Sequence, residues 1–182
     1  MRKVFLSMQM SIDGYVARLD GDVNWAGENL SAEIMEWVRQ TMTEMDTMLL
    51  GRVSFLEQAS FWPTEAAAGS DMTPLLNDAE KVVFSSTLTD VSVWPNSRIV
   101  SGDMATEVRR LKAQEGASIF VSGGARLAQT MSAQGLIDEY RIYVHPVVLG
   151  AGMPLFTEPV DLSLVSSHAF ANGVVAVVYR RR

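Results

Sequence analysis

The sequence predicts an α/β fold: a central, mostly parallel sheet with helices on both faces and antiparallel strands at its C-terminal edge. Three observations lead there. Short apolar runs recur along the 182 residues, at Thr47–Leu50, Lys81–Phe84, Ser97–Val100 and Ser118–Val121, the signature of strands buried on both faces. Stretches of helical period lie among these runs, and a strand–helix–strand order implies parallel pairing. The last two runs, Tyr140–Val148 and Gly173–Tyr179, follow with no helix between them, so they pair antiparallel at one edge.

The elements follow in order. Val4–Met10 reads as a first strand that ends at the Asp13-Gly14 turn. Leu30-Ser31-Ala32-Glu33 offers a capped helix start, and Ile34, Trp37, Val38, Met42 and Met45 then recur at helical spacing. Thr47–Leu50 is a strand that stops at Gly51-Arg52, and a short helix through Phe55 and Leu56 follows. The stretch Trp62–Pro74, rich in Pro, Ala, Gly and Thr, reads as loop. Beyond the next two strands, Thr106–Glu115 reads as a helix with Val108 and Leu111 on successive turns. Ser118–Val121 is a strand and Gly124–Gln134 a helix, with Gly135 placed as its C-terminal cap. With no internal repeat, low-complexity tract or linker, residues 1–182 are expected to form one domain.

Composition narrows the function classes. Hydrophobic content of 48% and charged content of 20% suit a soluble globular protein. The net charge is −6, and no segment gathers Lys and Arg into the stripe that a phosphate backbone needs, so nucleic acid is not an expected partner. The absence of cysteine removes disulfides, thiolate nucleophiles and cysteine-ligated zinc, and makes the cytoplasm the default compartment. The apolar start Val4-Phe5-Leu6 is interrupted by Ser7, Gln9, Ser11 and Asp13 with no cleavage site, so no leader is expected. No stretch approaches the ~18 apolar residues that cross a membrane.

Chemistry in an open α/β sheet sits outside the carboxyl ends of its strands. Val121-Ser122-Gly123-Gly124-Ala125-Arg126 is the most informative such end. Two glycines between a buried strand and a helix let the backbone approach a ligand, and the helix start presents free N–H groups and a positive dipole end, which suits a diphosphate. The alternative is a tight turn with no ligand. Neither G-x-G-x-x-G nor G-x-x-x-x-G-K-[ST] occurs, which disfavours ordinary dehydrogenases and P-loop proteins. Gly51-Arg52 forms a phosphate clamp or, alternatively, a surface arginine paired with a carboxylate such as Glu57. Ser85-Ser86-Thr87 could hold a ribose 2′-phosphate or merely cap a loop, and Ser101-Gly102-Asp103 reads as a helix cap.

Acid–base candidates are few. The chain has two histidines, His145 and His168, with no metal-type constellation around them, so no bound metal is expected. No G-x-S-x-G elbow is present. Asp13 is the carboxylate best placed at a strand end, either as a group that orients substrate or relays a proton, or as a turn residue bonded to its own backbone. Glu33 and Glu36 begin the first helix, where the dipole favours carboxylates anyway. Trp25, Trp37, Phe55 and Trp62 line a pocket for a flat heterocycle or belong to the core.

Taken together, these segments resemble the dihydrofolate reductase superfamily, and more closely the reductase domain of the bacterial riboflavin-biosynthesis deaminase-reductase and its stand-alone relatives. The matching stretches are Ser7–Ala17, Leu49–Phe55, Val83–Ser86, Phe120–Ala125, Asp138–Arg141 and His145–Phe156, in the same order and across almost the whole chain. The resemblance implies a dihydrofolate-reductase-like fold that binds NADPH. It places the pyrophosphate on Ser122, Gly123, Gly124, Ala125 and Arg126, the phosphates on Gly51 and Arg52, and the adenosine ribose phosphate by Ser85 and Ser86. It sets the nicotinamide beside Asp13 to Ala17, with Val16 and Ala17 as contacts. Relatives commonly pair as homodimers through the sheet edge near Gly150-Ala151-Gly152. No carboxylate aligns on the pterin-binding helix position, since Met35 is as close in register as Glu33 and Glu36. The expected activity is hydride transfer from NADPH to a small pterin- or pyrimidine-like heterocycle; the alternative is a catalytically silent nucleotide-binding protein of the same fold.

Overall fold

Strand β3 (Met45–Gly51) illustrates how the sheet is made: Met48, Leu49 and Leu50 are fully buried, so both faces of the strand are covered and its sequence cannot alternate. The computed structural model describes residues 1–182. The chain organises into two compact units, one built from Met1–Val4 and Val38–Gly124, the other from Phe5–Trp37 and Ala125–Arg182.

In the first unit, β3 is followed by α3 (Arg52–Ala59), α4 (Met72–Asp78), β4 (Glu80–Phe84), β5 (Ser97–Val100), α5 (Met104–Ala113) and β6 (Ser118–Val121). The strands run in the order β5-β4-β3-β6, all parallel. Phe55, Trp94, Val108, Leu111, Val82, Val83, Ile119 and Val121 fill the core with no exposed surface.

The second unit contains β1 (Val4–Ser11), β2 (Tyr15–Ala17), α1 (Asn24–Gly27), most of α2 (Ala32–Met42), α6 (Ala125–Ala133), β7 (Glu139–His145), β8 (Met153–Pro154), β9 (Leu162–Ala169) and β10 (Val175–Arg181). Its strand order is β1-β7-β10-β9, parallel between β1 and β7 and antiparallel thereafter, and β2 pairs separately with β8. The expected antiparallel closing pair is therefore present, as β7 and β10. The outermost strand is β9, which sequence periodicity does not reveal: Ser163 to Ser167 are all exposed, so no buried face imposes alternation.

One other difference has a local cause. Trp62–Pro74 is not all loop, since a 3-10 turn spans Glu65–Ala67 and α4 starts at Met72. Pro74 falls in the first helical turn, where a missing N–H costs nothing. Gly135 caps α6 as expected, with φ +68° and the Leu136 N–H donating to Met131 O at 2.9 Å, a six-to-one closure that only a left-handed residue permits.

Candidate functional site

Strand register decides which loops of the first unit meet. Gly51 lies opposite Phe84, Phe84 opposite Val100, and Leu49 opposite Val121. The Ser122 N–H donates to Leu49 O at 2.9 Å and the Ser85 N–H to Val100 O at 3.1 Å. Neighbouring strands are about 4.8 Å apart, so Ser85, Gly51-Arg52 and Ser122-Gly123 stand side by side at the carboxyl ends of β4, β3 and β6.

β3 passes straight into α3 at Gly51, whose extended backbone (φ −83°, ψ 164°) brings no side chain to cap the first turn. The leading N–H groups of α3 are thus open to an outside acceptor. Arg52, the first helical residue, is exposed and makes no ion pair, with Glu57 or any other carboxylate. A guanidinium at a helix N-terminus opposes the dipole. An anion bound here would satisfy the open amides and the arginine together.

The turn after β6 holds Gly123 and Gly124 at φ +84° and +82°, where side chains are strained. A Cβ on Gly124 would lie 2.8 Å from Ser54 Oγ, and one on Gly123 would lie 3.7 Å from it. The floor beneath the turn is thus the α3 face that carries Ser54 and, one turn on, Gln58. Gln58 Nε2 donates to Ser122 O and lies 3.2 Å from Ser122 Oγ, while the Ser122 hydroxyl reaches Gln58 Oε1 at 3.3 Å. Ser122 is a strut between strand and helix. Ser54 is 8% exposed and its hydroxyl makes no hydrogen bond, so it faces the diglycine turn with its donor free. Sequence reading passed over Ser54 and Gln58; their signal was a hydroxyl two residues after Gly51-Arg52 and an amide one helical turn later. α6 begins at Ala125, directly after the turn, and Arg126 is exposed.

Ser85 Oγ accepts the N–H groups of Thr87 (3.2 Å) and Leu88 (2.9 Å), so it caps its own loop. Its hydroxyl hydrogen is still available to donate, and Ser86 beside it is exposed. Asp103 caps α5 by accepting from the Thr106 N–H at 2.8 Å, as the sequence suggests.

In the second unit, Asp13 is exposed but engaged. Its carboxylate accepts from the Leu149 N–H (3.1 Å), the Gly150 N–H (2.8 Å) and the Ser11 hydroxyl (2.6 Å). These bonds, that from Ser11 foremost, hold its pKa below the ordinary value of 3.8. Asp13 therefore ties the loop after β1 to the loop after β7 rather than bonding its own turn alone, and a carboxylate held ionised in this way is a poor proton donor. Val16 and Ala17 are buried on β2, and the Leu155 N–H donates to Gly14 O at 3.1 Å. The aromatic residues have separate surroundings: Phe55 stacks on Trp94 in the core, Trp62 meets Phe61, Trp37 stacks on His168, and Trp25 lies edge-on to His145.

Comparison with known proteins agrees with this architecture. The family model of the RibD C-terminal domain matches residues 2–176. The uncharacterized protein YyaP of Bacillus subtilis is 32% identical over 98% of this chain and 94% of its own length. The riboflavin biosynthesis protein RibD of Corynebacterium ammoniagenes is 25% identical over 91% of this chain, which spans 49% of that protein. A solved structure of a proposed riboflavin biosynthesis protein from Shewanella sp. PV-4 superposes with a TM-score of 0.76 at 22% identity, covering 99% of each chain. The fold is dihydrofolate-reductase-like, a mostly parallel arrangement with antiparallel C-terminal strands, as the sequence predicts. With its model matched over nearly every residue, the chain belongs to the RibD C-terminal domain family.

Proposed function

We propose that this chain is a cytoplasmic, NADPH-dependent reductase that transfers hydride to a C=N or C=O group of a small pterin- or pyrimidine-like heterocycle, with residues 1–182 acting as one domain. One observation carries the reading: three adjacent strand ends present donors that no internal acceptor uses, among them Arg52, the Ser54 hydroxyl and the hydroxyl hydrogen of Ser85. The crowding of a Gly124 Cβ against Ser54 shows that this turn is shaped for backbone, not for a side chain. The residues fit a dinucleotide. Gly123, Gly124, Ala125 and Arg126 would hold the diphosphate with Ser54, on a turn that Ser122 braces; Gly51 and Arg52 would reach the phosphates; Ser85 and Ser86 would donate to the ribose 2′-phosphate. NADPH, when bound, supplies the hydride. Family resemblance assigns Val16 and Ala17 to the nicotinamide, with Asp13 orienting the substrate through the loop it fastens.

A second reading, a nucleotide-binding protein without turnover, is favoured by the Leu149, Gly150 and Ser11 donors that occupy the Asp13 carboxylate and commit it to bracing a loop. Titration of NADPH by fluorescence, with absorbance followed against dihydrofolate and pyrimidine substrates, separates the two. Binding with turnover supports the reductase, binding without it supports the silent protein, and no binding overturns both. Arg52, beside Ser85 and Ser86, would also reach the 2′-phosphate, so Arg52→Ala is expected to weaken NADPH about 10- to 100-fold and much more than NADH, the loss of a charge-assisted bond worth roughly 1.5–3 kcal/mol. Equal loss for both cofactors would mean that Arg52 does not read the 2′-phosphate. We also propose a homodimer through β9, where Leu164 (57% exposed) and Val165 (47%) leave an uncovered strand. Sedimentation showing only monomer at all concentrations would refute it.

A further inference from the structure

The end of β7 carries a buried polar cluster that the proposed cofactor chemistry does not use. His145 has no exposed surface, and its Nε2 lies 2.6 Å from Gln9 Oε1. An amide oxygen only accepts, so Nε2 carries the hydrogen. The ring is neutral, because burial lowers its pKa below 6.5. Nδ1 is then a bare acceptor, and it is buried without a partner. Trp25, 6% exposed, packs edge-on against the same imidazole with ring centroids 5.5 Å apart at 82°, and its indole nitrogen is also buried without a partner. An indole N–H can only donate.

An orphan donor and an orphan acceptor on adjacent buried rings are complementary, and nothing else in the structure satisfies either. Each carries a penalty unless a third group completes it. We propose that Trp25 and His145 form a site for a single hydroxyl-type oxygen, which accepts from the indole N–H and donates to His145 Nδ1. The site takes a water molecule or the hydroxyl of a small alcohol. Its occupant pins the short helix α1 to the end of β7 and fixes the tautomer of His145. Trp25 and His145 are thus positioning residues. The inference rests on neither cofactor nor hydride transfer, so its failure would leave the reductase reading standing.

The test is a high-resolution crystal structure of the whole chain, grown without polyols and then soaked in glycerol. One oxygen within hydrogen-bond distance of both Trp25 Nε1 and His145 Nδ1 is expected. Water in both crystals assigns a structural water; a glycerol oxygen replacing it assigns a hydroxyl subsite. No oxygen in either crystal, an oxygen touching one ring only, or a direct indole–imidazole bond overturns the proposal. Nitrogen-15 spectroscopy of the histidine side chains gives an independent readout in solution. In wild type, Nε2 should be protonated and Nδ1 should carry the shift of a hydrogen-bonded acceptor. Trp25→Phe, which keeps a ring and removes the donor, should move the Nδ1 shift and leave Nε2 as it was. An Nδ1–H tautomer in wild type, or no movement in the variant, would refute it.

Discussion

The loops after β1 and after β3 both leave the carboxyl end of a parallel strand, yet they treat their polar groups in opposite ways. After β1, the Ser11 hydroxyl donates to Asp13 and accepts from the Tyr15 N–H, while Asp13 takes two further backbone N–H groups. The segment is satisfied from within. After β3, Gly51 brings no cap, Arg52 has no counter-charge and the Ser54 hydroxyl has no acceptor. Folding normally pairs polar groups when it buries or orders them, so a strand end that leaves several of them open has donors to spare for the cofactor proposed above. The first loop braces the structure. The second one keeps its donors open.

Gly124→Ala tests that contrast most severely. The methyl must adopt φ near +82° and meets Ser54 Oγ, so the turn has to shift. Combining the strain of a left-handed residue, roughly 1–2 kcal/mol, with a displaced phosphate contact, NADPH affinity should fall about 100-fold or more. Fluorescence titration of the folded variant measures it. Unchanged affinity would show that the diglycine turn is only a turn.

Lys81 extends the comparison to the two ends of one strand. At the carboxyl end of β4 stands Ser85, with its hydroxyl hydrogen free; near the amino end Lys81 is fully buried, donating to Leu76 O and Asn77 O at the end of α4 beneath the Trp94 ring. Burial lowers its pKa from 10.5 to about 8. Between those values the unfolded chain holds more protons than the folded one, so stability should rise with pH across that window, by up to about 3 kcal/mol. Lys81→Met should abolish the rise, read as urea unfolding free energy below pH 8 and near 10.5, and should leave NADPH affinity unchanged. A variant that keeps the rise would move its origin elsewhere.

These cases also show what a sequence can disclose. The strand ends that carry the diglycine turn, Gly51-Arg52 and Ser85 were readable, because a short apolar run that stops at glycine or serine marks the end of a buried strand. The register that aligns them was not readable, since pairing distances are set by packing between segments far apart in the chain. Ser54 and Gln58 escaped notice because a serine and a glutamine on a short helix look like any solvated face; only their position beneath Gly123 and Gly124 gives them meaning. Strand β9 escaped for the reverse reason, being exposed and so free of the alternation that burial imposes. Asp13 was found at the right strand end, but its partners, 136 and 137 residues away, could not be.

Ser54→Ala removes one unpaired donor from the open loop. A neutral hydrogen bond is worth about 1 kcal/mol net, so NADPH should weaken roughly fivefold, with little change in melting temperature because the hydroxyl has no partner inside the protein. A lowered melting temperature with unchanged affinity would reassign Ser54 to packing.

Asp13→Ala makes the mirror-image cut in the self-satisfied loop, and its effect should be the smallest. The Leu149 and Gly150 N–H groups lose their acceptor but lie where water can replace it, so the melting temperature should fall modestly while the preference for NADPH over NADH stays as it was. The sign with pH follows from the lowered pKa of Asp13 in the folded state. The stabilisation is fully present above the unfolded value of about 3.8 and disappears as pH falls through the lower folded value, where both states bind the proton. Wild type and variant should therefore differ by a constant amount at neutral pH and converge in strong acid, as thermal melts across that range would record. A difference that grows on acidification would mean that Asp13 is protonated more easily in the fold than out of it, and would restore it as a proton relay.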